Sequence, residues 1–168
     1  MRDSGKGNVD RRLELLVHNR VYEGGLIMSD KNEIFCFRRG AFFAGDLEYR
    51  IVHEDQKFIL RVRTGNDFCW MESAKFEIPK KEIVRLRRLL RPVLKWKKRY
   101  ENEDMIMDGY DWTIYFCYNG CLIETDGYEK YPRDYESVKR KLQLFIEKLG
   151  AKYNDKYQVK GIKDRIEL

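Results

Sequence analysis

Apolar and polar residues alternate with a period of two along three stretches of the chain, which is the pattern of half-buried β-strands. The alternating stretches are residues 47–51, 58–62 and 76–78. A short apolar run at 34–37 precedes them, and the polar residues 54–57 fit a hairpin loop between the first two. We therefore predict an antiparallel meander of three or four strands over residues 33–78.

The clearest local pattern lies between Trp112 and Thr125, where two alternating stretches flank Asn119-Gly120. Asn-Gly tolerates the positive φ angles of a type I′ turn, so we expect a tight hairpin that joins the sheet. A two-residue loop also fixes the register and places facing side chains on one side of the hairpin. The expected facing pairs are Tyr118 with Cys121, Phe116 with Ile123, and Ile114 with Thr125.

Apolar residues spaced by three and four positions predict two amphipathic helices, over residues 80–100 and 133–149. Pro92 lies inside the first, where it removes a backbone donor and clashes with the preceding turn, so we expect a kink or break near 88–91. Gly150 is expected to end the second helix, because glycine accepts the left-handed conformation. The predicted fold is α+β: an antiparallel sheet of N-terminal meander and C-terminal hairpin, with both amphipathic helices packed on one face.

Residues 1–27 are polar and lack the strand pattern that begins after Met28. Glu23-Gly24-Gly25, just upstream of Met28, is what a purine-rich ribosome-binding sequence encodes when it is translated. We therefore expect residues 1–27 to be an N-terminal extension outside the native protein, with Met28 as the initiator. Residues 28–168 are expected to form a single α+β domain, with an edge strand at 157–162 in its basic tail.

The composition favours a packed domain, since 43% of the 168 residues are hydrophobic and 14% are aromatic, and disordered chains lack such groups. The four cysteines, Cys36, Cys69, Cys117 and Cys121, match no metal-binding spacing. No apolar stretch approaches the roughly 20 residues of a membrane-spanning helix, and no signal-peptide pattern is present. We expect a cytoplasmic protein with free thiols and no membrane span, a Cys36–Cys69 disulfide being the alternative.

A recognisable sequence pattern covers residues 108–132. It runs Asp108-Gly109-x-x-Trp112, alternating strand, Asn119-Gly120, return strand, and Gly127-x-x-x-Tyr131-Pro132 before an amphipathic helix. This pattern resembles a C-terminal module of small uncharacterised bacterial proteins, in which a meander and a helix also come first. The resemblance spans residues 33–150, matches best over 108–149, and departs at the arginine-rich first helix. It implies a fold and a bacterial source, and it implies no activity.

The residues of familiar catalytic centres do not occur in recognisable arrangements. The histidines are His18 and His53, no serine lies in a G-x-S-x-G context, and no glycine-rich phosphate loop is present. We therefore predict no catalytic residue, cofactor or metal ligand. A metal-dependent enzyme is the last alternative, because hard cations take carboxylate ligands and four carboxylates lie near the open end of the predicted hairpin. They are Asp108, Asp111, Glu124 and Asp126.

The positive charge of the chain is concentrated in one segment. Residues 80–99 contain ten basic residues and one acidic residue, Glu82, a formal charge of +9, whereas the whole chain carries +6. The planar guanidinium group of arginine forms bidentate hydrogen bonds with carboxylates and phosphates. This segment is therefore the predicted binding surface. On a helical projection, the residues opposite the apolar stripe are Arg85, Arg87, Arg88, Arg91, Lys95, Lys98 and Arg99.

The preferred hypothesis is a non-enzymatic interaction protein, such as an inhibitor or modulator, that binds an acidic macromolecular partner through this basic helix face. The first alternative is a nucleic-acid-binding protein, because the same charge attracts phosphates. A solvated helix face, balanced by the acidic loop at residues 101–111, is the interpretation that assigns the segment no function.

Overall fold

The structure is a computed structural model that describes residues 32–41, 45–66, 69–102 and 109–154. The strands of this part are β1 (Glu33–Ala41), β2 (Gly45–Glu54), β3 (Lys57–Asn66), β4 (Cys69–Ile78), β5 (Arg99–Glu101), β6 (Tyr110–Tyr118) and β7 (Cys121–Tyr128). Its helices are α1 (Lys80–Leu89), the 3-10 helix η1 (Arg91–Lys95) and α2 (Tyr135–Tyr153). The described part of the chain is therefore α+β, as the sequence predicts.

Within these residues, seven strands form one sheet in the order β4-β3-β2-β1-β6-β7-β5. The first four form the predicted meander, and the hairpin of β6 and β7 joins it by pairing β6 with β1. All neighbouring strands are antiparallel except β5, which pairs with β7 in parallel. As a result, β4 and β5 are the two outermost strands, although only α1 and η1 separate them along the chain.

The hairpin of β6 and β7 has the register that its turn predicts. Tyr118 pairs with Cys121 across the turn, and the two expected pairs beyond it also form. Asn119 and Gly120 have φ angles of 50° and 80°, which lie in the left-handed region that a type I′ turn requires. The local sequence is therefore sufficient to specify this hairpin.

Alternating side chains give the sheet two unlike faces. The first, which we call the apolar face, carries Phe35, Phe37, Tyr49, Ile51, Leu60, Val62, Trp112, Ile114 and Phe116, and all of them are buried. The second, the polar face, carries Cys36, Arg38, Glu48, Arg50, Arg61, Arg63, Lys75, Tyr115 and Glu124. The polar positions of the alternating pattern therefore share one side of the sheet.

Apolar-face residues and helical residues belong to one hydrophobic cluster. The helical members include Ile83, Leu86, Val138, Leu142 and Ile146. The sequence pattern predicts that Trp112, Phe116, Ile123, Leu142 and Ile146 are mostly buried. All of them are buried except Ile123, which is half-buried. The rings around the indole of Trp112 are those of Trp96, Tyr100, Tyr131 and Tyr135, with centroid distances between 4.8 and 6.3 Å.

The first helix is shorter than its periodicity predicts. α1 ends at Leu89 and η1 follows, so the break expected from Pro92 is confirmed. The predicted helix through residue 100 is wrong, because Arg99–Glu101 forms a strand beside β7. The hydroxyl of Thr125 donates to the carbonyl of Lys97 at 2.7 Å, which holds the chain against β7 at this point. The helical spacing of apolar residues gives no information about this pairing of β5 with β7, because the two strands are distant in the sequence.

The second helix is longer than the sequence predicts. α2 continues through Gly150, which is buried, and ends at Tyr153, so the predicted end at Gly150 is wrong. The additional turn brings the Tyr153 hydroxyl to 3.0 Å from Oε1 of Glu82 in α1. This contact between the helices gives a physical reason for the helix to continue.

Several predictions concern residues outside the described ranges. They are the extension at 1–27 with Met28 as initiator, the edge strand at 157–162, and Asp108 at the start of the hairpin. Among the described residues, no helix is long and apolar enough to cross a membrane.

Gly127 provides a test of the packing around Trp112. A Cβ atom at this position would lie 2.6 Å from Nε1 of Trp112 and 2.7 Å from the carbonyl oxygen of Lys130. Because these two groups are hydrogen-bonded to each other, neither moves freely. We predict that Gly127→Ala lowers the free energy of unfolding by about 1–3 kcal/mol in chemical denaturation. Ser137→Ala, on the exposed side of α2, is the control and should change it by less than about 0.5 kcal/mol.

Candidate functional site

The basic residues predicted as a binding surface lie on several elements rather than on one helix. Arg85, Arg87 and Arg88 are in α1, Arg91 and Lys95 in η1, Lys98 in the segment that follows, and Arg99 in β5. A single helical projection therefore does not describe their arrangement, because the α-helix ends before Pro92.

Two of these residues contact other parts of the protein. Arg87 is half-buried, and its Nε donates to the carbonyl oxygen of Cys117 at 3.0 Å. The Nε of Arg99 lies 2.8 Å from Oε1 of Glu101 and 3.5 Å from Oδ1 of Asp126. Arg87 thus connects α1 to the end of β6, and Arg99 belongs to a group of charges at the β5 edge. Arg87 is therefore only partly accessible, whereas Arg99 is exposed but lies close to two carboxylates.

The other five predicted residues are exposed, and together with Lys81, which was not among the predicted residues, we call them the basic surface. It consists of Lys81, Arg85, Arg88, Arg91, Lys95 and Lys98. Within the part of the chain that the structure describes, five of the six make no ion pair, and Arg85 alone contacts a carboxylate, that of Glu82. Val84 and Leu94 are also exposed, by 44% and 39%. Helical spacing predicts Leu94 to be buried with Ile83, Leu86, Leu90 and Val93, but Leu94 lies in η1, where Val93 is the buried residue and Leu94 is exposed.

Glu82, the one acidic residue of the segment, is directed away from the basic surface. Its side chain is only 1% exposed. Its carboxylate accepts the Tyr153 hydroxyl at 3.0 Å and Nη1 of Arg85 at 3.2 Å, and Nζ of Lys152 lies 4.0 Å away. The one carboxylate within residues 80–99 is therefore held between α1 and α2.

The surroundings of Glu82 keep its carboxylate ionised. Burial acts to raise its pKa, but the hydrogen bonds from Arg85 and Tyr153, with the nearby charge of Lys152, outweigh burial and lower the pKa from the ordinary value of 4.5. At neutral pH the group is charged and joins the two helices. Its burial removes a negative charge from the exposed side of the segment.

Trp96 does not offer a stacking platform next to the basic surface. The residue is half-buried, and its Nε1 donates to Oδ1 of Asp134 at 2.8 Å. Its ring packs edge-on against Trp112 at a centroid distance of 5.8 Å. Trp96 therefore anchors the end of η1 to the rest of the domain.

Three of the four carboxylates expected near the open end of the hairpin are among the described residues. Asp126 lies opposite Thr113, and its carboxylate faces Arg99. Among the described residues, no group of three or more histidine, cysteine, aspartate or glutamate side chains is close enough to hold a metal ion. This holds for Asp111, Glu124 and Asp126, whereas Asp108 lies outside the described ranges.

None of the four cysteines forms a disulfide, so the alternative of a Cys36–Cys69 disulfide is wrong. Cys36 is buried on the polar face, and Cys69 is exposed on the outermost strand β4. Burial and the neighbouring carboxylates Glu33 and Glu48 raise the pKa of the Cys36 thiol, which disfavours a reactive thiolate.

The polar face contains a network of ion pairs that the sequence analysis did not anticipate. Arg50 lies 3.1 Å from Oε2 of Glu48 and 3.5 Å from Oε2 of Glu33, and Arg63 lies 3.3 Å from the other oxygen of Glu48. The Glu48 side chain is only 5% exposed. The sequence shows arginines and glutamates at alternating positions of β2 and β3. Which of them form ion pairs follows only from the register between the strands.

Comparisons with known proteins give no assignment for this fold or surface. No family model matches the chain, and the searches of curated proteins and of solved structures return no significant match. The resemblance to the bacterial C-terminal module therefore stays a prediction.

The position of Glu82 leads to a prediction about pH. Because its pKa is lower in the folded state, the stability it contributes is complete above the unfolded-state pKa and is lost as the pH falls through the folded-state pKa. Glu82→Gln should lower the free energy of unfolding by about 1.5–3 kcal/mol at neutral pH, the range for hydrogen bonds to a charged group.

Denaturation curves of the wild type and Glu82→Gln should converge as the pH falls below 4.5, the ordinary pKa of glutamate. Glu124→Gln, at an exposed position on β7, is the control and should differ little from the wild type at any pH. A difference between wild type and Glu82→Gln that is constant from neutral to acidic pH would contradict the ion-pair account.

The polar-face network gives a separate prediction. Arg50→Met removes the cation between two buried carboxylates, and breaking a buried pair on one side costs about 3–5 kcal/mol. Urea denaturation should show a loss of this size, with an unchanged dependence on urea concentration if the folded state stays compact. Lys75→Met, at an exposed position of the same face, should have little effect.

Proposed function

We propose that this protein works by binding an acidic macromolecule through its basic surface, and that it modulates or blocks that partner rather than transforming a substrate. The observation that carries the proposal is the position of Glu82. Its carboxylate is 1% exposed between α1 and α2, and among the described residues Lys81, Arg88, Arg91, Lys95 and Lys98 are exposed and make no ion pair. A concentrated charge of one sign speeds and orients encounter with a partner of the opposite sign.

We further infer that α1, η1 and α2 cover the apolar face of the sheet. Two observations support this placement. The buried residues of both helices share a hydrophobic cluster with the apolar-face side chains. The segment from β4 to β5 also has to pass from one edge of the sheet to the other, a distance of about 29 Å at the usual strand spacing. Crossing on the apolar side buries Ile83, Leu86 and Val93 and leaves the basic residues outward.

The arrangement of the charges favours a binding role over a structural one. Basic residues that serve folding normally pair with carboxylates, as Arg50 and Arg63 do on the polar face. Arg88, Arg91 and Lys95 have no such pairs within the described residues. Holding exposed like charges close together opposes folding slightly. A surface of this kind is therefore better explained by a partner than by stability.

Charge reversal on the basic surface tests the proposal. Lys81, Arg88, Arg91 and Lys95 are exposed, so we choose Lys81→Glu, Arg88→Glu, Arg91→Glu and Lys95→Glu combined, and leave out Arg87 because of its bond to Cys117. Fluorescence anisotropy with labelled polyglutamate and with labelled duplex DNA measures the affinity. The variant should bind both about 10–100-fold more weakly, since each exposed ion pair contributes up to ~1 kcal/mol.

A matched control carries the same kind of change elsewhere. Lys75→Glu combined with Lys130→Glu reverses two exposed lysines outside the basic surface and should leave the affinity nearly unchanged. The wild type should also bind more weakly as salt increases. If the wild type binds neither probe, or if the fourfold variant binds as well as the wild type, the proposal is wrong.

A further inference from the structure

Arg39 is a cation on the apolar face of the sheet. It follows Phe35 and Phe37 in the alternation of β1, and it lies directly opposite Trp112 of β6. Its guanidinium carbon is 4.2 Å from the ring centre of Tyr110, and its Nε is buried without a hydrogen-bond partner. Within the part of the chain that the structure describes, this half-buried guanidinium makes no hydrogen bond and no ion pair.

The contact with Tyr110 leaves the hydrogen-bonding capacity of Arg39 unused. The five N–H groups of a guanidinium lie in its plane and form a rigid fork. A cation–π contact is an attraction between the charge and the face of the ring, and it satisfies none of these donors. An arginine held on an aromatic ring is therefore still able to bind a carboxylate through two parallel hydrogen bonds.

Tyr135 adds a second unpaired group to this region. Its side chain is 1% exposed, and among the described residues its hydroxyl has no hydrogen-bond partner. Buried hydroxyl groups in native proteins are nearly always hydrogen-bonded, so an exception needs a physical explanation, such as a bound ion or water. Burial raises the pKa of Tyr135 well above the ordinary value of 10.0, so at neutral pH the hydroxyl keeps its proton and is able to donate it in a hydrogen bond.

Packing and electrostatics place these two groups in one region. The ring of Tyr135 lies 4.8 Å from that of Trp112, the residue opposite Arg39. The ring of Tyr131 lies 4.8 Å from that of Tyr135 and 6.3 Å from that of Trp112. Burial raises the pKa of both tyrosine hydroxyls, and the positive charge of Arg39 opposes this rise for both. The unpaired cation therefore lies close enough to act on both hydroxyl groups.

The carboxylates whose charge acts on these two tyrosines are held elsewhere. Glu129 accepts a backbone N–H of β6, and Glu136 lies 2.6 Å from Nζ of Lys139. Asp111 precedes Trp112 in β6, so the alternation of the strand directs its side chain to the polar face. None of the three pairs with the guanidinium. The region therefore has donors for an anion and no anion of its own in contact with them.

We propose that Arg39 and Tyr135 form a binding site for a carboxylate, in which the guanidinium binds both oxygens and the hydroxyl donates to one of them. Arg39, Tyr110 and Tyr131 are half-buried, so a ligand has access to the guanidinium from solvent. The site shares no residue with the basic surface and does not depend on the function proposed above.

Other occupants fit these groups less well. A buried water would satisfy the hydroxyl of Tyr135, but it would leave the charge of Arg39 without a counter-charge. A phosphate dianion carries two charges, whereas the site offers one arginine and has Glu129 nearby. A carboxylate matches both the single charge and the two types of donor. It belongs either to a small organic acid or to a polypeptide, and the contact has the same chemistry in both cases.

Isothermal titration calorimetry of the full chain with benzoate, at constant ionic strength, tests the site. Tyr135→Phe keeps the ring and removes only the hydroxyl, so it should bind benzoate about tenfold more weakly, the loss expected for one hydrogen bond to a charged group. Arg39→Gln should abolish binding. Arg39→Lys keeps the charge without the planar fork and should recover only part of the affinity.

Two matched variants serve as controls. Tyr118→Phe removes a hydroxyl at the other end of β6, and Arg140→Gln removes an exposed cation of α2, so both should bind benzoate like the wild type. The fourfold charge-reversal variant of the basic surface should do the same.

Thermal melts test whether the hydroxyl of Tyr135 is unpaired in the free protein. Without ligand, Tyr135→Phe should melt at the same temperature as the wild type or above it, because removing a buried hydroxyl that has no partner costs no hydrogen bond. Benzoate should raise the melting temperature of the wild type more than that of the variant. A lower melting temperature of the free variant would reveal a partner within the protein and overturn the proposal.

A short N-acetylated peptide with a free C-terminal carboxylate, compared with its C-terminal amide, distinguishes the two sources of the carboxylate. Tighter binding of the peptide acid than of benzoate indicates a polypeptide ligand, and weaker binding indicates a small acid. The amide should not bind in either case. The site is refuted if neither carboxylate binds, if the amide or inorganic phosphate binds as tightly as benzoate, or if Arg39→Gln binds like the wild type.

The result with the charge-reversal variant separates this inference from the proposed function. If that variant loses benzoate together with polyglutamate, the carboxylate binds to the basic surface, and the inference is wrong while the proposed function stands. If it keeps both, the proposed function is wrong while the carboxylate site stands.

Discussion

The pairing of β1 with β6 is the constraint on which the rest of the structure depends. It joins the meander to the hairpin, which are remote in the sequence, and places Phe35 and Phe37 opposite Phe116 and Ile114. All four side chains are buried, so a shift by one residue would move them to the other face and expose them. Without this pair of strands the sheet would be divided into two, β4-β3-β2-β1 and β6-β7-β5.

This pairing also determines where the basic residues lie. It places β4 and β5 at opposite edges, so the segment between them has to cross the width of the sheet. The apolar stripe of α1 is buried in the core, and Glu82 is held by Tyr153 of α2. What is left on the outside of the segment is almost entirely cationic. The proposed binding surface is therefore a consequence of the same topology that completes the core.

Sequence patterns predicted the secondary-structure elements that a few adjacent residues specify. The meander, the turn at Asn119-Gly120 and the break at Pro92 each follow from a few adjacent residues, and the structure confirms them. The strand β5 could not be found in this way, because its three residues are extended only beside β7.

The sequence also predicted only part of the candidate site. The charge of residues 80–99 is visible in the sequence, and most of the residues singled out are exposed. The bond between Arg87 and Cys117 and the exposure of Leu94 were not predictable, because both depend on where the helix ends and what it packs against. The ion pairs of Arg50 and Arg63 required the register between strands for the same reason.

The connection from β4 to β5 affects how the domain unfolds. A segment that is packed into the core and joined to both outermost strands links the two edges of the sheet. Peeling β4 away would pull on α1, and α1 is bonded through Arg87 to the end of β6 in the other half. Neither half can then open alone without breaking contacts in its neighbour. Unfolding should for that reason behave as one cooperative unit, with hydrogen-exchange protection of similar free energy in the meander and in the hairpin.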